Sequence, residues 1–289
     1  MYYLRNIERD LSHRGSGSTF SAITKRQLEE LSIPLPPLEE QRRIVARIEE
    51  LMERVREAKR LREEAKKDAE RLMQAALAEV FPRLGAPLPA GWRWVRLGEV
   101  CEFRHGGTPS KKRPEFWNGN IPWVSPKDMR IPVITDTRDR ITEHALENTN
   151  VRIAPKNSIL VVVRSGILVR TFPVAIAGCK VAFNQDIKAI LPNQSVFNPW
   201  FLYWALRSLE PLILSEGVKK GVTVHSIRSG FIENLRVPTP SLENQCCIVA
   251  YLDQIQARVI ALKKTQESTE AELHRLEQAI LDKAFRGEL

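Results

Sequence analysis

Six consecutive residues, Thr108-Pro109-Ser110-Lys111-Lys112-Arg113, set two hydroxyls and three cations on one turn behind Gly106-Gly107. That mixture suits a polyanion: cations neutralise it, while hydroxyls and backbone amides make close contacts to phosphate oxygens. Lys127, Lys180 and another basic loop, Lys219-Lys220-Gly221 with Thr223 and His225, extend the set. Base edges call for other types, Arg bidentate to guanine and Asn or Gln bidentate to adenine. Arg164 and Arg170 on either side of Gly166, and Asn184-Gln185 downstream of Lys180, are of those types. A local reading stands beside each: a solvated loop for Lys111-Lys112-Arg113, a structural turn for Arg164-Ser165-Gly166, and a backbone-satisfying turn for Asn184-Gln185-Asp186. Trp117, Trp123, Trp200 and Trp204 are expected in the core rather than as stacking platforms.

Catalytic chemistry is poorly supplied. Asn198-Pro199-Trp200-Phe201 is similar to the Asn-Pro-Pro-Tyr/Phe tetrad of adenine methyltransferases, but the second proline is absent and no Gly-rich loop follows a strand to hold S-adenosylmethionine. The same residues make a good helix N-terminus, with Asn as cap and Pro in the first turn. Asp128 and Asp186 lack the Glu-x-Lys partner pattern of a nuclease, the five histidines lack metal spacing, and no phosphate-binding loop for ATP is present. The expectation is a chain with no catalytic residues, no cofactor and no metal.

Composition agrees with a polyanionic partner. The 289 residues carry 44 basic against 35 acidic side chains, a formal charge of +9, and net charge speaks of partners rather than of fold. With 43% hydrophobic and 27% charged residues the chain has the make-up of a globular protein. Cys101, Cys179, Cys246 and Cys247 show no zinc or redox spacing and read as reduced thiols. Met1-Tyr2-Tyr3-Leu4-Arg5 runs at once into charge, unlike a signal peptide, and the apolar run Ile159 to Val163 is far too short to span a bilayer. A cytoplasmic protein without membrane contact is expected.

The elements that must position these residues are organised around a stretch written twice. Laying Gly221 on Gly17, an offset of 204, superposes ITKRQLEELSIPLPPLEEQRRIV on IRSGFIENLRVPTPSLENQCCIV without a gap. Pro34, Pro36, Glu39, Gln41 and Ile44-Val45 then fall on Pro238, Pro240, Glu243, Gln245 and Ile248-Val249. Each copy opens a long helix with a heptad seam. The first seam runs Ile44, Ile48, Leu51, Val55, Ala58, skips at Arg62, and resumes at Ala65, Ala69, Leu72 and Ala76. The second runs Ile248, Leu252, Ile255, Val259, Leu262, turns polar at Gln266 and Thr269, and resumes at Leu273, Leu276 and Ile280. Each helix is about 60 Å long at 1.5 Å per residue. Neither can bury its stripe alone, so the two are expected to pack on each other, antiparallel by symmetry.

Between them Pro82, Gly85, Pro87, Pro89 and Gly91 mark a boundary. Strands are predicted at 92–97, 121–124, 131–134, 159–163, 174–176 and 187–190, and a helix from Asn198-Pro199. The boundaries are 1–38, the end of a first globular domain; 39–81, the first helix; 82–240, a complete globular domain; and 241–289, the second helix. The front piece reads as a short helical start from Tyr2 to Leu11, the turn Gly15 to Thr19, Ile23, Leu28 and Leu31, and a strand-like Ile33-Pro34-Leu35. The fold class is α+β, one globular mixed α/β domain plus two long helices in an antiparallel coiled coil.

The paired IPLPPLEEQRRIV and VPTPSLENQCCIV resemble the conserved regions of type I restriction-modification specificity subunits. GEVCEFRHGGTPSKK, FWNGNIPWVSPKDM, VVVRSGILVR and FNQD resemble their target recognition domain. The resemblance implies a non-catalytic subunit in which the coiled coil holds two DNA-reading domains apart, each reading half of a split site. It implies double-stranded DNA, methyltransferase subunits and, through them, the restriction subunit as partners, with self-association through the helices open. Only the tail of the first recognition domain is found at the front, so the chain reads as an N-terminally truncated member. A decoy subunit that docks partners without directing them, and an adenine methyltransferase, are the rival readings.

Overall fold

The computed structural model describes residues 2–7, 25–30, 33, 35–221 and 224–289. The expected turn from Gly15 to Thr19, with Ile23, Leu31, Pro34 and Thr223, lies outside the described residues, as does the expected continuation of the first helical piece beyond Ile7. Two compact units divide the chain, Met1–Arg71 with Ala257–Leu289, and Leu72–Gln256.

The first unit is built on two helices, Leu38–Val80 and Leu242–Phe285, each of which continues into the second unit. Glu39 and Glu40 in one first turn and Glu243 in the other suit the positive helix N-terminus. Within this unit the helices are antiparallel: Lys59 bonds Glu277, Arg62 meets Glu270 and Glu70 meets Lys263, partner numbers falling as their own rise. Ile48, Leu281 and Ala284 form a core capped by Tyr2, Ile44, Met52 and Phe285.

The polar middle of the seam is an ionic knot. The Arg62 guanidinium reaches the Gln266 carbonyl and lies 3.1 Å from Glu270, which Lys66 also approaches at 3.5 Å. The Arg62 hydrogen bond, with Lys66 close by, holds the Glu270 carboxyl below its ordinary range. Arg62 Nε and Gln266 Oε1 are nonetheless buried without partners. Removing Arg62 orphans little, because Thr269 Oγ1 also donates to the Gln266 carbonyl and Lys66 stays beside Glu270. Exchange of a buried ionic group for an apolar one is often neutral or stabilising, by about 1 kcal/mol or more. Arg62→Leu is therefore expected to raise the thermal midpoint, and a fall would assign the knot a net stabilising role.

Beyond the knot the seam departs from the strict heptad. Ala69, Ala76 and Ile280 are buried as the heptad predicts, but Leu72 and Leu276 are exposed while Met73, Leu77 and Leu281 are buried; Leu262, ahead of Gln266, is exposed as well. A helix of 3.6 residues per turn drifts about 20° per heptad from a 3.5 repeat, so the buried stripe moves by a position once the pattern is interrupted.

The repeat is visible as one hydrogen bond made twice. Gln41 Nε2 donates to the Pro36 carbonyl at 2.7 Å, and Gln245 Nε2 to the Pro240 carbonyl at 3.1 Å. What surrounds the copies differs. Leu35 is 84% exposed, whereas its counterpart Thr239 is 3% exposed. Leu35 and Ile33 line an open, largely apolar groove of about 560 Å3 with Ile44 and Phe285.

The second unit holds the strands. They are β1 Arg93–Arg96, β2 Cys101–His105, β3 Trp117–Val124, β4 Val133–Ile134, β5 Asp139–Ile141, β6 Ile153–Ala154 and β7 Ile159–Val162. There follow β8 Arg164–Ser165, β9 Val174–Ala177, β10 Val181–Phe183, β11 Ile187–Pro192, β12 Val218–Lys219, β13 His225–Ile227 and β14 Arg236–Thr239. A five-stranded sheet runs β2-β11-β7-β9-β4, a four-stranded sheet β5-β3-β10-β6, a three-stranded sheet β12-β13-β8, and β1 pairs with β14. β7, β9 and β10 are buried along their whole length, so they read as apolar runs rather than alternation. Helix Pro199–Ser208 packs across β7 and β9. Its cap is as expected, the Asn198 side chain accepting from the amides of Trp200 and Phe201. Trp123 and Trp204 are buried, and Trp117 packs on the cluster around Phe116, Ile121 and Ile141.

Candidate nucleic-acid interface

Two parallel strands decide where the candidate residues meet. β3 and β10 pair in parallel with Phe183 beside Val124, so the segments leaving them emerge at one edge. Lys127 follows β3 on a turn closed by Ser125 and Asp128, whose carboxylate accepts from the Ser125 amide at 2.9 Å and hydroxyl at 2.8 Å. Asp128 is therefore a turn former. Asn184-Gln185 follow β10 at the same edge. Asn184 is buried, and its side-chain oxygen accepts from the Asp186 amide at 3.1 Å. The local reading of Asn184 thus describes it, and Gln185 is the exposed member of the pair.

The basic turn arrives at this edge through Gly106-Gly107. The Gly107 amide donates to the Phe183 carbonyl at 2.9 Å, and Trp123 Nε1 donates to the Gly107 carbonyl at 3.0 Å. Trp117 Nε1 holds the Ser110 carbonyl at 3.2 Å. With the turn so anchored, the Thr108 hydroxyl donates to Gln185 Oε1. Ser110, Lys111, Lys112 and Arg113 are exposed beyond it, Arg113 lying 5.4 Å from the centre of the Phe116 ring.

Asp186 carries the edge onward to the second basic segment. Its carbonyl accepts from the amides of Val163 at 2.8 Å and Arg164 at 3.2 Å, and its carboxylate lies 3.2 Å from Arg164 Nε. Arg164 pairs across β8 and β13 with Ser226, which pairs in turn with Lys219. Residues directly opposite in neighbouring strands share a face. Arg164, Ser226 and Lys219 therefore form one row, with Lys220 next to it.

Lys180 is placed elsewhere. It precedes β10, at the far end from Asn184, and lies 3.7 Å from Glu143. Arg170 is exposed behind the turn Gly166–Val169. Among the described residues no carboxylate comes within ion-pair distance of Lys111, Lys112, Arg113, Lys127, Arg170, Lys219 or Lys220, in contrast to the first long helix, where Arg42, Arg43, Arg47, Arg54, Arg56 and Arg60 all pair with glutamates. Unpaired cations gathered from four loops make a surface suited to a polyanion.

Other reactive groups are structurally engaged. Lys188 is buried, bonded to Glu233; burial raises the Glu233 carboxyl, but the Lys188 hydrogen bond and neighbouring charge outweigh it and the net shift is downward. Burial pushes the Cys101 thiol up to about 12, leaving it protonated at neutral pH. In the Asn198 tetrad the side-chain oxygen caps the helix and the amide donates to Gln245 Oε1 at 2.8 Å. No group of three or more metal-ligating side chains occurs, and no helix is long and apolar enough to cross a membrane, among the described residues.

The sequence model of the type I restriction modification DNA specificity domain matches residues 1–67 and 89–273. This chain belongs to that family. Each matched block carries one copy of the repeated stretch. The specificity subunit of the EcoR124I/EcoR124II type I restriction enzyme of Escherichia coli is 39% identical over 162 residues, 56% of this chain and 40% of that protein. The MjaIX specificity subunit of Methanocaldococcus jannaschii is 29% identical over 186 residues, 63% of this chain and 42% of that protein. The chain thus spans about two-fifths of the length of these relatives. The HsdS subunit of Thermoanaerobacter tengcongensis aligns over the whole chain and 70% of its own length at 41% identity and a TM-score of 0.62. A solved chain from work on complex assembly and conformational transition of the type I restriction-modification system aligns likewise, over 69% of its length at 41% identity, with a TM-score of 0.82.

For a specificity-family member, the basic turn, Lys127, Gln185, Arg164 and Lys219 are visible from sequence as types. Asp186 as the partner of Arg164, and Ser226 as the bridge to Lys219, are not. Only the pairing of strands distant in sequence brings them together.

Proposed function

We propose that this chain is a DNA-sequence-recognition subunit of a cytoplasmic type I restriction-modification complex, reading a half-site and performing no chemistry itself. The convergence of Thr108, Gln185, Lys127, Arg164 and Lys219 on one edge, ringed by unpaired cations, carries the reading. Lys111, Lys112, Lys127, Lys219 and Lys220 neutralise phosphates. Arg164 and Gln185 face bases, with Asp186 orienting the Arg164 guanidinium. The long helices space the half-sites and give methyltransferase subunits a docking surface, and the restriction subunit joins through them. Self-association through the helices belongs to the same proposal, with the open groove beside Ile44 and Phe285 as the apolar surface available to it. Sizing the chain alone and with its methyltransferase reads that part.

Two substitutions separate the roles. Arg164→Ala is expected to cost about 1–3 kcal/mol at one base position and relax preference there, whereas Lys111→Ala weakens all sequences alike and lowers the salt slope by about 1. Binding of selected duplexes at several salt concentrations measures both. If both variants bind as the parent does, the surface is misassigned. Loss of all sequence preference in the parent complex would instead favour a decoy subunit.

A further inference from the structure

We infer that Val169, with Ile167 beside it, is an apolar specificity contact that recognises the C5-methyl group of a thymine in the major groove, an inference that rests on the DNA-reading assignment above. Val169 is 61% exposed and Ile167 37%, while Leu168 between them is 1% exposed. The turn Gly166–Val169 is thus pinned by its central leucine and turns two branched side chains outward.

The turn is held at both ends. The Ser165 hydroxyl accepts from the Ile167 amide at 3.3 Å, and the Ile167 carbonyl accepts from the amides of Arg170 at 2.9 Å and Thr171 at 3.1 Å. Just beyond, Glu210 Oε1 gathers the Thr171 hydroxyl at 2.7 Å and the Phe172 amide at 2.8 Å. An exposed apolar pair presented on so fixed a backbone loses little conformational freedom on contact.

The surroundings name the partner. Arg164 and Arg170 bracket the turn and are exposed, and Lys219 and Lys220 lie across the three-stranded sheet to which β8 belongs. Scattered apolar side chains on a surface need no explanation. Apolar side chains ringed by cations do, because the cations draw in a polyanion whose backbone has nothing to offer a valine. On duplex DNA the apolar feature within reach of such a surface turn is the thymine methyl, exposed in the major groove, which is wide enough to admit a helix or a two-stranded ribbon.

The test removes one methyl group. The full chain, alone and with methyltransferase subunits, selects its preferred duplex from a random library, and each thymine of that duplex is then replaced singly by deoxyuridine. One replacement is expected to weaken binding about fourfold, the worth of one buried methyl group. Val169→Ala should bind the thymine and deoxyuridine duplexes alike, with Ile167→Ala giving a smaller effect in the same direction, and Val169→Ile should restore the preference. An unchanged thermal midpoint checks that each variant is folded. Indifference of the parent to every replacement, or a preference that survives Val169→Ala, overturns the inference and leaves the DNA-reading assignment standing. Indifference combined with a sharp bend in the bound duplex would overturn it too, by showing a wedge between bases instead. Failure to select any sequence overturns the DNA-reading assignment and the inference with it.

Discussion

Gly106→Ala is expected to weaken binding to the preferred duplex at least about tenfold and to lower stability by about 1–3 kcal/mol, the usual cost of forcing extra atoms into a packed site. A Cβ there would stand 2.1 Å from the Asn184 carbonyl oxygen and 2.4 Å from that of Phe183. Both are backbone atoms, so no rotamer change relieves the clash, and the strand end of β10 and the basic turn must separate. That separation strains the bond from the Gly107 amide to the Phe183 carbonyl and the grip of Trp123 on Gly107. It also parts Thr108 from Gln185, the contact that ties the turn proposed to bind phosphates to the segment proposed to face bases. The binding loss should therefore exceed that of Lys111→Ala, which removes one charge and leaves the turn in place. Duplex affinity and thermal unfolding measured together check this. A variant that loses stability but keeps full affinity would show that the turn acts apart from the Gln185 edge.

How much of this was legible in the sequence follows from whether the signal was local or periodic. The heptads, the Asn198-Pro199 cap and the apolar runs of β7, β9 and β11 are local patterns, legible directly. The two copies stand at a fixed offset in the sequence, and the matching bonds of Gln41 and Gln245 show that the offset has structural content. Beyond Arg62 the heptad places Ala69, Ala76 and Ile280 correctly but puts Leu72 and Leu276 in the seam in place of Met73, Leu77 and Leu281, because an interrupted heptad carries no information on how far the stripe has drifted. Within the candidate interface the residue types were legible and the destinations were not. Thr108 and Gln185 are 77 residues apart and meet because β2 and β11 pair antiparallel with His105 opposite Lys188, a register that the two residues extend. Asn184 and Gln185 are chemically alike in sequence, yet one is folded into a turn and the other presented. Val169 carries no such signal, since nothing in Gly166-Ile167-Leu168-Val169 says which of its apolar side chains is buried.

Gln245→Leu is expected to be among the most damaging single substitutions in the second unit, and its counterpart Gln41→Leu nearly silent. Gln245 is fully buried. Its carboxamide accepts from the Asn198 amide at 2.8 Å and donates to the carbonyls of Val196 at 2.8 Å and Pro240 at 3.1 Å. Leucine has a similar volume but no polar atom, so three backbone groups lose their partner out of reach of water. At about 1–3 kcal/mol for each orphaned group the loss should come to about 3–5 kcal/mol, less than a full sum because the site relaxes. Gln41 sits at a half-buried position and among the described residues makes one such bond, to the Pro36 carbonyl, so its replacement should cost about 1 kcal/mol or less. Denaturant unfolding of both variants, with amide exchange at Asn198 as the local probe, measures the difference. Equal losses would mean that Gln41 holds a further buried partner. A large difference would mean that an identical residue at an identical place in the repeat does different work, set by the backbone of Val196 and Asn198 that is packed against the second copy.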